Sequence, residues 1–287
     1  MIIVGLAGWG DHDSLYPSGT SAKDKLRRYG DHFPLVEMDS SFYAVQSADR
    51  MARYAEETPG EFRFVVKAYQ GMTGHLRGKP YYANDDEMYE AFCASLDPIL
   101  RSGKLAAALF QYPPWFDCTK GNVGLLRETK KRMEGFPCAL EFRHQSWFEP
   151  AFRERTLAFM REEGWIHSVC DEPQAGIGSI PIVLEVSRPD FTLVRMHGRN
   201  VGGWNQSGAA NWREVRYLYD YNDDELLEWK TRIEKLVAQS GTVGIVFNNN
   251  SGGHAAENAK RFMRLLDLPV PEFPGTDAPE QLDLFDF

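Results

Sequence analysis

Polar side chains stand at the ends of a series of short apolar runs: Glu37 and Asp39, Lys67, Gln111, Glu141 and Arg143, Asp171, Arg195 and His197, and Asn248 to Asn250. Gathered in one place, they would do acid/base chemistry on an anion. A carboxyl among other carboxylates and apolar rings takes a raised pKa and can donate a proton. Glu141 and Glu37 are the candidates for that role, with Asp171 next. Lys67, Arg143 and Arg195 would neutralise an anionic group, and a guanidinium can grip phosphate or carboxylate with two parallel hydrogen bonds. His197 is the best-placed proton carrier among seven histidines. Of the others, His12, His32, His144 and His167 read as surface or strand-edge residues, and His75 and His254 fall in loops near the same region.

The elements that must position these groups are eight apolar runs of strand length. They are IIVGLAGW from Ile2, LVEMDSSF from Leu35, FRFVVKAY from Phe62, LAAALFQY from Leu105, CALEFRHQ from Cys138, IHSVCDE from Ile166, FTLVRMHG from Phe191 and TVGIVFNN from Thr242. Amphipathic, charged segments lie between them, such as SADRMARYAEE, NDDEMYEAFCASLDPILRS, VGLLRETKKRME, EPAFRERTLAFMREEG and DDELLEWKTRIEKLVAQ. Several open on Ser, Asn or Asp, as helix N-caps do. Alternation of strand and helix implies a parallel sheet with right-handed crossovers, and a count of eight favours closure into a (β/α)8 TIM-type barrel over residues 1–270. The connection from the sixth to the seventh strand, residues 174–190, is too rich in Gly, Pro and β-branched residues for a helix. A long loop of about residues 199–221 follows strand seven, and a last helix is expected over roughly 254–266.

Side chains alternate along a strand, so Glu37/Asp39, Glu141/Arg143 and Arg195/His197 each present two polar groups on one face. Unpaired charge is costly inside a barrel. The cheapest arrangement collects these groups at the C-terminal mouth, where barrel active sites lie. The plainer alternative is a structural plug of ion pairs, such as Glu37 with Arg143 or Glu141 with Arg195. The loops HGRNVGG and NNNSGGHAAENA after strands seven and eight suit a phosphate or another anion, because the second opens a helix. No cofactor is required by the sequence. A divalent metal remains open, since Glu37, Asp39, Glu141, Asp171 and His197 are possible ligands, but no metal-type spacing supports it and the neighbouring cations compete. Trp9, Phe42, Tyr43, Tyr112, Trp115, Trp147 and Trp204 could stack on a base or sugar.

Composition bounds the rest. A formal charge of −9 argues against nucleic-acid binding by bulk charge, although a local basic groove is compatible with it. The apolar start is short and lacks a basic flank, so it reads as a buried strand and no signal peptide. No apolar run spans a bilayer. Cys93, Cys118, Cys138 and Cys170 form no CxxC pair, as expected of thiols in a cytoplasmic protein.

The strings GWG…YP, FPLVEMDSSFY, FRFVVKA followed by MTGH, LFQYPPWF, LEFRHQSWF, VCDEPQ, VRMHGR and FNNNSGGHAAENA resemble, in order, the YecE-like barrels, domain-of-unknown-function family seventy-two. The resemblance covers about residues 2–266. It implies a TIM-type barrel distantly similar to apurinic endonuclease and xylose isomerase barrels, and it implies no particular reaction. The family's motif positions fall on Glu37, Lys67, Gln111, Glu141, Arg143, Trp147, Asp171, Arg195, His197, Asn248 and Asn258. Asp39 stands where the family often has Asn, and the segments around Tyr16 and after His197 are less typical. These departures bear on the ligand, not the fold.

Residues 271–287 change character: Pro271, Pro274, Gly275 and Pro279 interrupt a stretch that holds five acids and no Lys or Arg from Glu272 onward. It reads as an extended tail. Its Gln281-Leu282-Asp283-Leu284-Phe285 resembles the pentapeptide by which bacterial DNA polymerases and repair proteins dock on the sliding clamp. Leu284 and Phe285 would fill an apolar pocket, and Gln281 would make polar contacts. The expectation is an enzyme of hydrolase or isomerase/lyase type acting on a phosphate-bearing or nucleic-acid-related substrate, recruited to the clamp. The alternatives are a metabolic barrel for a sugar or small acid with a self-packing tail, and a non-catalytic clamp- or DNA-associated binding module.

Overall fold

The computed structural model describes residues 1–204 and 215–271. The peptide at residues 281–287 lies outside them, as does the middle of the loop after strand seven. Eight strands run in chain order round a closed, all-parallel barrel. They are β1 (Ile2–Ala7), β2 (Leu35–Met38), β3 (Arg63–Lys67), β4 (Leu105–Gln111), β5 (Cys138–Glu141), β6 (Ile166–Asp171), β7 (Phe191–Met196) and β8 (Thr242–Phe247). Seven start where the apolar runs start, and β3 starts one residue later. Closure is made by β8 on β1, from Ile2 opposite Val243 to Leu6 opposite Phe247.

Helices form where a polar cap precedes an amphipathic stretch. The side chains of Ser47, Asn84, Thr119 and Asn222 accept hydrogen bonds from the backbone N–H three residues on. They open the helices Ala48–Glu56, Asp85–Arg101, Lys120–Arg132 and Asp223–Val237. The helix Lys120–Arg132 starts three residues before the apolar pattern suggests, because the Thr119 cap fixes the start despite Gly121. The helices Lys25–Gly30, Arg153–Glu162 and His254–Leu265 add to the outer layer. No described helix is long and apolar enough to cross a membrane.

Two apolar cores follow from the alternation of side chains. One is the layer between strands and helices. The other fills the barrel with Ile3, Leu35, Val65, Ala107, Leu109, Ala139, Ile166, Leu193 and Val246. Phe191 plugs its lower end against Gly244, where an added Cβ would lie 2.6 Å from the Phe191 ring.

As expected, residues 172–190 hold no helix. Ile180 and Val183 are buried in its place. Ser187 ties the segment to β6, accepting from His167 N at 2.7 Å and donating to Trp165 O at 2.7 Å. His12, His32 and His167, expected at the surface or a strand edge, are buried. His167 points outward from β6 beneath this covering segment, with Nε2 3.0 Å from Val183 O. Burial pushes its pKa down from 6.5 to about 4. The unfolded chain therefore takes up a proton that the folded chain refuses, and stability falls as pH drops from about 6.5 to about 4. One such histidine accounts for roughly 3 kcal/mol across that window. We expect His167→Phe to flatten the dependence of melting temperature on pH between those limits, and an unchanged slope would refute this.

Candidate functional site

The inner-face alternation that fills the barrel continues upward into polar groups. Two residues beyond Leu35 stands Glu37, and beyond Val65, Lys67. Gln111 follows Leu109, Glu141 and Arg143 follow Ala139, and Arg195 and His197 follow Leu193. Asn248 follows Val246. On β6 the same face carries Ser168, Cys170 and Glu172. Strand ends from around the barrel thus converge on its C-terminal mouth.

Arg195 is the hub. Its Nε donates to Glu37 Oε2 at 2.8 Å and its Nη2 to Glu37 Oε1, a two-pronged grip. Its Nη1 donates to Glu141 Oε2 at 2.6 Å and reaches Gln111 Oε1 at 3.3 Å. Arg143 Nη2 lies 2.7 Å from Glu141 Oε1, and Arg143 Nη1 donates to Glu172 Oε2. Glu172 Oε1 accepts from Ile180 N at 2.7 Å, which anchors the β6–β7 connection to the cluster. Glu37, Glu141, Arg195 and His197 are wholly buried.

Electrostatics divides the carboxyls. Burial would raise Glu141, but Arg195 and Arg143 overcome it and hold Glu141 well below the usual range. That corrects its expected role as an acid: between two guanidiniums it stays ionised. For Glu37 burial wins over its single guanidinium, aided by Asp39, and its pKa is raised. Burial pushes Glu172 up to about 7 against the pull of Arg143.

His197 is neutral, its pKa driven well down by burial and then by Arg143 and Arg195. Arg143 Nη2 at 3.0 Å and Arg195 Nη1 at 3.3 Å both face Nε2. Guanidiniums have only protons to offer, so Nε2 accepts and the ring proton sits on Nδ1. Asn248 Nδ2 is placed 2.9 Å from Nδ1, and a half-turn of that amide presents its oxygen to accept the Nδ1 proton. Trp204 and Tyr217, from the loop after β7, pack on the imidazole at 6.3 Å between ring centres. The guanidiniums of Arg143 and Arg216 both lie over the Trp204 ring, 5.1 Å and 4.2 Å from its centre.

Nearer the surface, Lys67 Nζ stands 3.4 Å from Asp39 Oδ1. Three sequence candidates lie elsewhere. Asp171 points to the helix layer, because Cys170 and Glu172 hold the inward positions of β6; it accepts from both Arg199 and Trp229 Nε1. Trp147 is buried, stacked on Phe142 at 4.0 Å, with its N–H donated to Phe116 O. Asn258 braces the loop ahead of the helix Asp223–Val237, accepting from Tyr221 N and Asn249 Nδ2 and donating to Asp220.

Glu172 and Cys170 escaped the sequence reading. Cys170, Glu141 and His197 offer ligand atoms within 4.8 Å of one another. They suit a cation poorly: guanidiniums already occupy Glu141 and His197 Nε2, and burial keeps the Cys170 thiol protonated.

Comparison with known proteins agrees with this architecture. The family model described as "Protein of unknown function DUF72" matches residues 3–282. The UPF0759 protein YunF of Bacillus subtilis (strain 168) is 56% identical over 286 residues, 99% of this chain and 100% of its own. The crystal structure of a DUF72 family protein from Enterococcus faecalis V583 superposes with a TM-score of 0.88 at 38% identity, covering 94% of this chain and 97% of that one. A DUF72 family protein from Thermotoga maritima MSB8 gives 0.79 at 28% identity, with 93% and 99% covered. With a family match over nearly its whole length and the same barrel in these relatives, the chain belongs to the DUF72 family.

Proposed function

We propose that the mouth binds a phosphate-bearing, nucleic-acid-related ligand and acts on it by acid/base chemistry, and that the Gln281–Phe285 peptide brings the barrel to the DNA sliding clamp. The observation that carries the site is a buried donor: Arg143 Nε has no hydrogen-bond partner among the described residues, although both terminal nitrogens of the same guanidinium are engaged by Glu141, Glu172 and His197. A cluster that served only as a plug would satisfy its polar atoms, because a buried unpaired donor or acceptor costs about 1–3 kcal/mol. A ligand site keeps such capacity for what it binds. Arg143, Arg195 and Lys67 supply positive charge for the anion. Ionised Glu141 orients the guanidiniums of Arg143 and Arg195 toward the anion, and Glu172 and Glu37, both shifted upward, suit the proton transfer. Neutral His197 holds Arg143 in place.

The test uses inorganic phosphate as the probe and a panel of phosphomonoesters and phosphodiesters for turnover. For millimolar affinity, phosphate at about ten times the dissociation constant should raise the melting temperature by roughly 3–6 °C. Arg143→Met should lose that increment, judged as a difference within each variant. Glu141→Gln should keep the increment and lose turnover of any ester the native protein hydrolyses. An increment equal in Arg143→Met, or one given by a neutral sugar and not by phosphate, would sink the anion reading. Turnover unchanged in Glu141→Gln would remove its part in positioning the guanidiniums.

A further inference from the structure

Beside the mouth, on the loops after β2, β3 and β4, aromatic rings form a ladder. Tyr43 meets Phe42 at 5.3 Å, Phe42 meets His75 at 5.3 Å and His75 meets Trp115 at 5.9 Å, each edge to face. Cations sit over two of these rings, Lys67 5.1 Å from the centre of Phe42 and Arg77 5.9 Å from that of Trp115. Backbone bonds brace the loops: Gln70 N donates to Phe42 O at 2.9 Å and His75 N to Gln70 O at 3.0 Å. The outer rungs are open, with Tyr43 58% and Trp115 56% exposed.

The charge here differs from that of the whole molecule. Residues 68–84 contain Arg77 and Lys79 and no acid, and residues 40–47 contain none either, in a chain of net charge −9; the flanking acids are Asp39, which stands 3.4 Å from Lys67, and Asp117 in the Trp115 loop. Arg77 and Lys79 are exposed. Braced aromatic faces interleaved with cations match a strand of stacked bases on a phosphate backbone.

We propose that this rim is a binding platform for single-stranded nucleic acid, with bases stacked on Tyr43 and Trp115 and phosphates held by Arg77, Lys79 and Lys67. The inference deepens the reading of the mouth, on which it rests for the class of ligand. The platform lets a strand lie across the rim with one phosphate at the strand ends, its sequence read weakly because every base has a π face.

Fluorescence anisotropy of labelled oligothymidylate and oligouridylate, about a dozen nucleotides long, with the full-length chain tests it. Binding of either supports the platform, and the tighter of the two identifies DNA or RNA as the source. Trp115→Ala with Tyr43→Ala should weaken binding about tenfold or more, and Trp115→Phe should restore it. Arg77→Ala should lower the slope of log affinity against log salt by about 0.7. The phosphate-induced rise in melting temperature should persist in these variants, so failure of the rim and failure of the mouth are separately visible. No binding of either oligomer at low salt, unchanged binding in the double variant, or binding of a neutral oligosaccharide in their place would overturn the proposal.

Discussion

Replacing Arg195 by methionine is expected to lower the melting temperature by roughly 6–20 °C. The side chain is fully buried and holds Glu37 by two hydrogen bonds and Glu141 by one. Its removal leaves Glu37 with no guanidinium and Glu141 with Arg143 alone. Breaking a buried ion pair from one side costs about 3–5 kcal/mol, because the orphaned charge stays out of water. In a chain of this size each kcal/mol is worth about 2–4 °C.

Two controls make the prediction specific to charge. Adding Glu37→Gln to the Arg195→Met variant should recover part of the loss, since the stranded carboxylate is gone. Lowering the pH should also narrow the gap to the native protein: without Arg195 the folded-state pKa of Glu37 rises further, so the penalty is full near neutral pH and fades as Glu37 takes a proton. Circular dichroism melts across pH would check both. A fall of under about 2 °C, or no recovery in the double variant, would mean that Arg195 is held by packing and not by its carboxylates.

The barrel was legible because strand starts coincide with apolar runs, and those runs need no knowledge of their neighbours. The one-face rule was equally transferable: Glu37, Glu141, Arg143, Arg195 and His197 share the inner face as their spacing requires. It failed at β6. The run Ile166–Asp171 is buried on both faces, so nothing in Ile166, His167, Ser168, Val169 and Cys170 says which parity points inward, and the pattern offers Asp171 where Glu172 faces Arg143. An inward Cys170 was invisible for the same reason. The pairing was also beyond local reading. Glu141 lies between two guanidiniums only because β7 and the end of β5 meet across the barrel, which reversed its expected acidity. Trp147 and Asn258 show that a residue in a family motif can be architectural, one stacked under the β4 loop and the other bracing the loop before a helix.

Truncation after Glu280 is expected to abolish binding to a purified bacterial sliding clamp while leaving the barrel's melting temperature within about 1 °C. The eight strands close the barrel, and both cores pack, among the described residues 1–204 and 215–271. A peptide of roughly micromolar affinity corresponds to about 8 kcal/mol. Most of that should reside in Leu284 and Phe285, the two apolar side chains able to enter a pocket, so Leu284→Ala with Phe285→Ala should match the truncation in surface plasmon resonance. As a flexible linker, a Pro- and Gly-interrupted stretch of about 15 residues would reach on the order of 20 Å. Docked there, the barrel would be held near DNA at about millimolar effective concentration. This matters for a chain of net charge −9, because five of those acids lie in the tail and a local basic rim would have to act against the remainder. Clamp tethering should therefore raise the apparent affinity for clamp-loaded primed DNA in the native chain and not in the truncated one. A truncated chain that melts several degrees lower, with no clamp binding before truncation, would establish the opposite: that Leu282, Leu284 and Phe285 pack on the barrel and the clamp resemblance is coincidental.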